Sequence, residues 1–278
     1  MKDPASSLRW SRCTGIADAV VLCFHHAGGS VLSAARLASA LPACCDVAAV
    51  ALPGHEGPES GEAPRRAGEI AGRIAGELAL LFGGGSARLV LLGNSYGALL
   101  AFEVARQIER RHDAALSLSR LQLVVSGFRS PSLPPFEGPL HRLPRAHLLS
   151  ELVDRFGMQR AEAVALEDWQ EAALRADLEA CETYRLSEFS PLRCRTAVIR
   201  LTRDTSVTQA ELAAWRAVCA EPIEFLSLDA GHFPWATAAD ALGALVAKLS
   251  KGDRPDFTVE SSASASDDPP HNGGRNPS

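Results

Sequence analysis

The chain has no uninterrupted apolar stretch approaching the roughly 18–20 residues that a membrane-crossing helix requires, so the sequence predicts no transmembrane span. Its opening, Met1-Lys2-Asp3-Pro4-Ala5-Ser6-Ser7, lacks the apolar core of a secretion signal, and a cytoplasmic protein is expected. Excess positive charge is missing too. A formal net charge of -5 predicts no general affinity for nucleic acid or for an anionic membrane surface. The seven cysteines (Cys13, Cys23, Cys44, Cys45, Cys181, Cys194 and Cys219) are odd in number and lack metal-ligand spacing. Reduced thiols, mostly buried in strands and helices, are the simplest expectation. No internal repeat is visible.

With 278 residues, of which 46% are hydrophobic, the chain is long enough to bury one large α/β core or two small ones. Apolar runs with the length of buried strands occur at 20–24, 47–52, 89–92, 121–125, 196–201 and 223–228. Between them, Ile70, Ile74, Leu78 and Leu81 fall at helical spacing, as do Leu242, Leu245, Val246 and Leu249. Short alternation of strand and helix predicts a mostly parallel sheet with helices on both faces. The pattern breaks after Pro131, where prolines crowd the chain and strand signals vanish. Residues 145–186 read as two or three helices inserted between strands at the strand C-terminal edge, where an insertion lies over a site as a lid. The expected organisation is a single domain over 1–250 with a lid at about 132–188. Residues 1 to about 17 read as an irregular lead-in, Gly83-Gly84-Gly85 as the end of a helix, and 251–278 as a disordered tail.

The stretch with the strongest chemical content is Leu89-Val-Leu-Leu-Gly-Asn-Ser95-Tyr-Gly97, which opens into a helix carrying Leu99, Leu100, Phe102 and Val104. A G-x-S-x-G turn between strand and helix is a nucleophile elbow, in which a sharp bend lifts the serine hydroxyl above the sheet edge. Serine is a poor nucleophile until a base takes its proton. His232, in Gly231-His232-Phe233 after the last strand, is the expected base. Asp204, just past the preceding strand, is the expected partner for the imidazole, and the order Ser95, Asp204, His232 is that of the α/β hydrolases. Asp229 is the rival carboxylate but is expected to face elsewhere, Asp177 is expected to be structural, and His55 in the Pro53-Gly54 turn is expected to be solvated. Backbone amides should hold the developing oxyanion. Tyr96, directly after the nucleophile, supplies one, and Ala27 in the small-residue loop His25-His26-Ala27-Gly28-Gly29-Ser30 supplies the other. That loop follows a strand, but it has neither the G-x-x-x-x-G-K-[ST] nor the G-x-G-x-x-G pattern that cradles phosphates.

These residues together resemble the type II thioesterases, the stand-alone editing hydrolases of polyketide and non-ribosomal peptide assembly lines. The resemblance covers nearly all of 20–250 and rests on the 23–30 loop, Leu52-Pro53-Gly54-His55-Glu56, the elbow with Phe102-Glu103-Val104-Ala105, and Ser126-Gly127 with Ser130-Pro131. It continues in Leu174-Arg175-Ala176-Asp177-Leu178 with Tyr184, and in Gly231-His232-Phe233. It implies an α/β-hydrolase fold with a helical lid and hydrolysis of acyl thioesters carried on the phosphopantetheine arm of acyl or peptidyl carrier proteins. Ser95, Asp204 and His232 would form the triad, with Ala27 and Tyr96 as amide donors. No metal and no cofactor of the enzyme's own is implied, and a monomer is expected. A carboxylesterase or acyltransferase of the same fold, or a non-catalytic carrier-binding protein, are the alternatives.

Three positions depart from the family pattern: Asn94 where histidine is general, His25 where proline is common, and His55 where arginine is common. Asn94 is expected to alter hydrogen bonding behind the elbow. Arg106, Arg110, Arg111, Arg142 and Arg145 are the candidate contacts for an acidic carrier protein, set against a plain solvated surface.

Overall fold

The structure is a computed structural model and describes residues 6–82, 85–111, 118–188, 190–220 and 223–251. Its strands are β1 (Leu8–Arg12), β2 (Ala19–Phe24), β3 (Cys45–Val50), β4 (Arg88–Asn94), β5 (Leu121–Ser126), β6 (Arg195–Leu201) and β7 (Glu224–Leu228). They form one sheet in the order β1-β3-β2-β4-β5-β6-β7, with β1 antiparallel to β3 and every other pair parallel. The helices are α1 (Ala35–Ala40), α2 (Ala67–Phe82), α3 (Tyr96–Arg110), α4 (Arg145–Phe156), α5 (Arg160–Val164), α6 (Asp168–Glu182), α7 (Gln209–Ala213), α8 (Pro234–Thr237) and α9 (Ala239–Lys251). This is the expected α/β-hydrolase arrangement.

The interior strands are apolar at nearly every position because both of their faces are covered. Alternate residues go to opposite layers. On β2, Val20, Leu22 and Phe24 join the core formed by α2 and α3, whereas Val21 and Cys23 join the one formed by α1 and α9. On β4, Leu89 and Leu91 face the first layer, and Val90 and Leu92 the second. Full burial of such a side chain contributes about 1.5–3 kcal/mol, so the centre of the sheet is the firmest part of the molecule. It carries β4 and the elbow at its end. A third, smaller core of Leu140, Leu148, Leu152, Leu174 and Leu178 holds the helices between β5 and β6 together. Helix α4 stops at Gly157, whose φ of 72° is the left-handed conformation that ends helices.

Strand β1 lies in the stretch expected to be irregular. Only Leu8 and Trp10 alternate with polar residues there, too few for a pattern. What fixes the strand is distant in sequence. The Arg12 guanidinium donates to the carbonyls of Cys45 (2.6 Å), Ala38 (3.1 Å), Leu41 (3.2 Å) and Pro42 (2.8 Å). All seven thiols are free, but burial is less general than expected, because Cys13 and Cys44 are exposed. The tail from 252 onward, the first five residues, and Gly83 and Gly84 of the glycine run lie outside the described residues.

Candidate active site

The elbow owes its shape to two places where a side chain has no room. A Cβ on Gly93 would stand 2.2 Å from the Gly97 carbonyl oxygen, and one on Gly97 would stand 2.0 Å from that of Phe24. Such contacts require glycine at both positions. The bend falls on Ser95, the one non-glycine residue with positive φ among those described (φ 55°, ψ -125°). The Ser95 N–H donates to the Ser126 carbonyl at 2.9 Å, and the Ser95 carbonyl accepts from Ala98 N–H at 2.8 Å. The turn is therefore tied to β5 on one side and to α3 on the other.

Three loop ends of the sheet bring Ser95, His232 and Asp204 into one line. The Ser95 hydroxyl lies 3.0 Å from His232 Nε2, and His232 Nδ1 donates to Asp204 Oδ2 at 2.8 Å. With the proton on Nδ1, Nε2 presents a lone pair to the hydroxyl. Burial alone would raise the Asp204 carboxyl, but hydrogen bonds from His232 and Ser206 outweigh it and hold the group below its usual range. Asp229 points elsewhere, taking the Thr202 hydroxyl at 3.1 Å and the Arg203 guanidinium at 3.0 Å.

Two polar side chains complete this line. Ser206 donates through its N–H (2.9 Å) and its hydroxyl (2.6 Å) to Asp204 Oδ1, and its oxygen lies 3.1 Å from His232 Nδ1. It thus supports both groups. Sequence reasoning missed it, although a serine two residues after a strand-end aspartate is a common local turn pattern. Asn94 is buried, donates to the His232 carbonyl at 2.9 Å, and accepts from the Ser126 hydroxyl at 2.7 Å. Aromatic rings frame the imidazole, with Phe156 at 4.8 Å and Phe233 at 5.1 Å between centroids.

Ala27, Ser95, Tyr96 and His232 line one cleft, roofed by Phe136, Phe156 and Leu178. Tyr96 opens helix α3, where a first-turn N–H has no intrahelical acceptor. In the 25–30 loop, Gly29 N–H goes to the His26 carbonyl at 2.9 Å and Gly28 N–H to Asp177 Oδ2 at 2.8 Å. Ala27 N–H has no acceptor among the described residues. Gly28 is left-handed (φ +71°), and Leu174 of α6 lies 3.1 Å from where its Cβ would stand.

His55 is not solvated. Its side chain is buried, with Nδ1 donating to the Pro53 carbonyl at 2.9 Å and Nε2 to Asp177 Oδ2 at 2.8 Å. The signal that Pro-Gly gave for an exposed turn was overridden by α6, which packs over the turn from 122 residues away. Burial works against the charged ring, but the Asp177 carboxylate overcomes it and holds His55 above the usual imidazole range. His25, by contrast, is pushed down to about 4 by burial and by the neighbouring His55.

The arginine patch is largely occupied. Arg106 is buried and bound to Glu103, with a further bond to the Glu188 carbonyl at 2.8 Å. Arg110 pairs with Glu188, Arg145 with Glu171, and Arg111 donates to the Gly72 carbonyl at 3.0 Å.

Comparison with known proteins bears on the same span. The thioesterase domain profile matches residues 19–251. Thioesterase PikA5 of Streptomyces venezuelae is 30% identical over 218 residues, covering 77% of this chain and 74% of its own. Among solved structures, the type II thioesterase BorB from the borrelidin biosynthetic cluster superposes with a TM-score of 0.75 at 30% identity, covering 87% of this chain and 97% of its own. The thioesterase RedJ of the prodiginine biosynthetic pathway in Streptomyces coelicolor superposes with a TM-score of 0.76 at 28% identity, covering 89% and 90%. With its parallel sheet, its elbow and a matched span running from β2 to the end of α9, the chain belongs to the thioesterase family and is a serine hydrolase of the type II thioesterase kind.

Proposed function

We propose that the protein unloads acyl groups from the phosphopantetheine arms of carrier proteins in a polyketide or non-ribosomal peptide assembly line, with Ser95 as nucleophile, His232 as base and Asp204 as its orienting carboxylate. The observation that carries this reading is the unbroken line Asp204–His232–Ser95, at 2.8 and 3.0 Å, on the floor of an apolar cleft. His232 Nε2 takes the hydroxyl proton as Ser95 Oγ attacks the thioester carbonyl. The oxyanion is received by the N–H groups of Tyr96 and Ala27. Ala27 is favoured because its loop neighbours Gly28 and Gly29 spend their amides within the protein.

Collapse of this adduct expels the thiol, which takes its proton from His232 and leaves an ester on Ser95. A water deprotonated by the same imidazole then attacks that ester. The acid departs, and Ser95 regains its proton. A thiol with a pKa of about 8.5 leaves far more readily than an alkoxide or an amine, so a thioester asks little of His232 as acid. Side chains, backbone amides and water suffice for each step.

The domain reading that accompanies this function is one unit over 1–250, in which the 132–188 segment covers the cleft and its apolar face receives the acyl chain. The test is a panel of acyl-carrier and acyl-coenzyme A thioesters set against simple esters, with adduct masses read on Ser95. Preferential turnover of carrier thioesters through a Ser95 acyl adduct is the expected result. Turnover of esters alone would assign the site to a carboxylesterase, and an adduct resolved by an amine or alcohol faster than by water would assign it to an acyltransferase.

A further inference from the structure

Two of the three departures from the family pattern meet in space. His25, from the loop after β2, and His55, from the turn after β3, have ring centroids 5.0 Å apart. Asp177, from the middle of α6, lies beside both, and a nitrogen of each ring and an Asp177 oxygen all fall within 4.8 Å of one another. All three residues are buried.

The hydrogen bonds around the cluster leave ligating atoms exposed to one another. Each ring donates Nδ1–H to a backbone carbonyl, His25 to that of His26 at 2.9 Å and His55 to that of Pro53 at 2.9 Å. This is the arrangement metal-bound histidines adopt, because it fixes the tautomer and leaves Nε2 as the lone-pair nitrogen. His25 Nε2 and Asp177 Oδ1 are buried and have no hydrogen-bond partner. A buried polar atom without a partner costs about 1–3 kcal/mol, and two in one cluster call for an explanation. A proton shared between His55 and Asp177 satisfies neither.

We infer that His25, His55 and Asp177 form a binding site for a divalent transition ion of the zinc type, which fastens helix α6 to the 25–30 loop. Two imidazoles and a carboxylate suit zinc and not the oxygen-seeking magnesium or calcium. Coordination through His55 Nε2 displaces the proton it shares with Asp177, which leaves to solvent. Asp177 supplies the oxygen that lacks a partner, while its other oxygen keeps the Gly28 N–H. An open cleft bordered by Gly28, Glu56 and Trp169 reaches His55, one of the three ligands. Binding of the ion here does not depend on how the Ser95 hydroxyl is used.

The experiment is titration of the chelator-treated full chain with cobalt(II), followed by visible absorption, then displacement with zinc and a thermal melt with and without zinc. One equivalent of cobalt is expected to give the intense bands of a low-coordinate site, zinc to abolish them, and zinc to raise the melting temperature. His55→Arg, which places the family's common residue opposite Asp177, should weaken binding by more than about 100-fold, beyond what loss of an outer-sphere partner costs. His25→Gln provides the same readout should the arginine variant fold poorly. A full chain that binds no cobalt, or binds it equally well in both variants, overturns the assignment and leaves the cluster as a proton-held clamp.

Discussion

The side-chain amide of Asn94 donates to the backbone carbonyl of His232 across 2.9 Å, so the residue before Ser95 holds the loop that carries His232. Its other end accepts the Ser126 hydroxyl, which makes it a bridge from β4 to the ends of β5 and β7. Asn94→Leu keeps the branched outline but strands two buried polar groups, and a loss of about 1–3 kcal/mol in stability is expected. Denaturant unfolding checks this. A larger fall in kcat than in stability would show that the bridge aims the imidazole as well as packing it.

Ser95→Ala is expected to lower kcat by at least about 10⁴-fold, because the triad acts as a unit. Alanine adopts the strained turn no worse than serine, so the melting temperature should hold. Labelling by a fluorophosphonate should disappear in the same protein, whereas binding of acyl-carrier protein should persist.

Asp204→Asn should lower kcat by about 10⁴-fold through the wrong imidazole tautomer. It should also change the acid limb of stability. A carboxyl held below its unfolded value contributes stability that is fully present above about pH 4 and is lost as pH falls through the lower folded value. The melting-temperature gap between the parent and Asp204→Asn is therefore expected to be constant near neutrality and to narrow in acid. A gap independent of pH would mean that the partners of Asp204 do not stabilise its charge.

Ser206→Ala removes the hydroxyl that supports both Asp204 and His232 but leaves the backbone N–H in place. A charge-assisted bond of this kind contributes about 1.5–3 kcal/mol, so kcat should fall between about 10- and 100-fold with KM little changed. Ser206→Thr should restore most of it, and a failure of that rescue would argue that packing matters more than the hydroxyl.

Gly28→Ala places a side chain in the left-handed region against Leu174, at a cost of about 1–3 kcal/mol before any clash is counted. Reduced stability with a fall in kcat is expected, because Ala27 is the adjacent residue. Unfolding curves and steady-state kinetics on one acyl-carrier substrate measure both.

The parallel strands and the elbow were legible because each is a local pattern: an apolar run, a Gly-x-Ser-x-Gly turn, a helix. That Ser95, Asp204 and His232 meet in space was legible because strand ends on one sheet edge converge. Features set by distant partners were not legible. Strand β1 depends on Arg12 reaching carbonyls some 30 residues away, and His55 is buried by a helix more than a hundred residues later. Arg106 reads as surface charge until Glu103 is seen beside it in the core. The three positions that depart from the family pattern have partners that only the fold supplies: Asn94 bridges to the His232 loop, and His25 and His55 face a common carboxylate.

Leu174 packs against Gly28, one residue from the Ala27 amide. The middle of helix α6 and the strip of backbone that ends in the Ala27 amide are joined by that packing and by Asp177. A bulky or branched cargo that shoulders the helix aside drags the amide with it. Such cargo would be captured as well as any other yet processed slowly, so discrimination among cargoes should fall on kcat and spare KM.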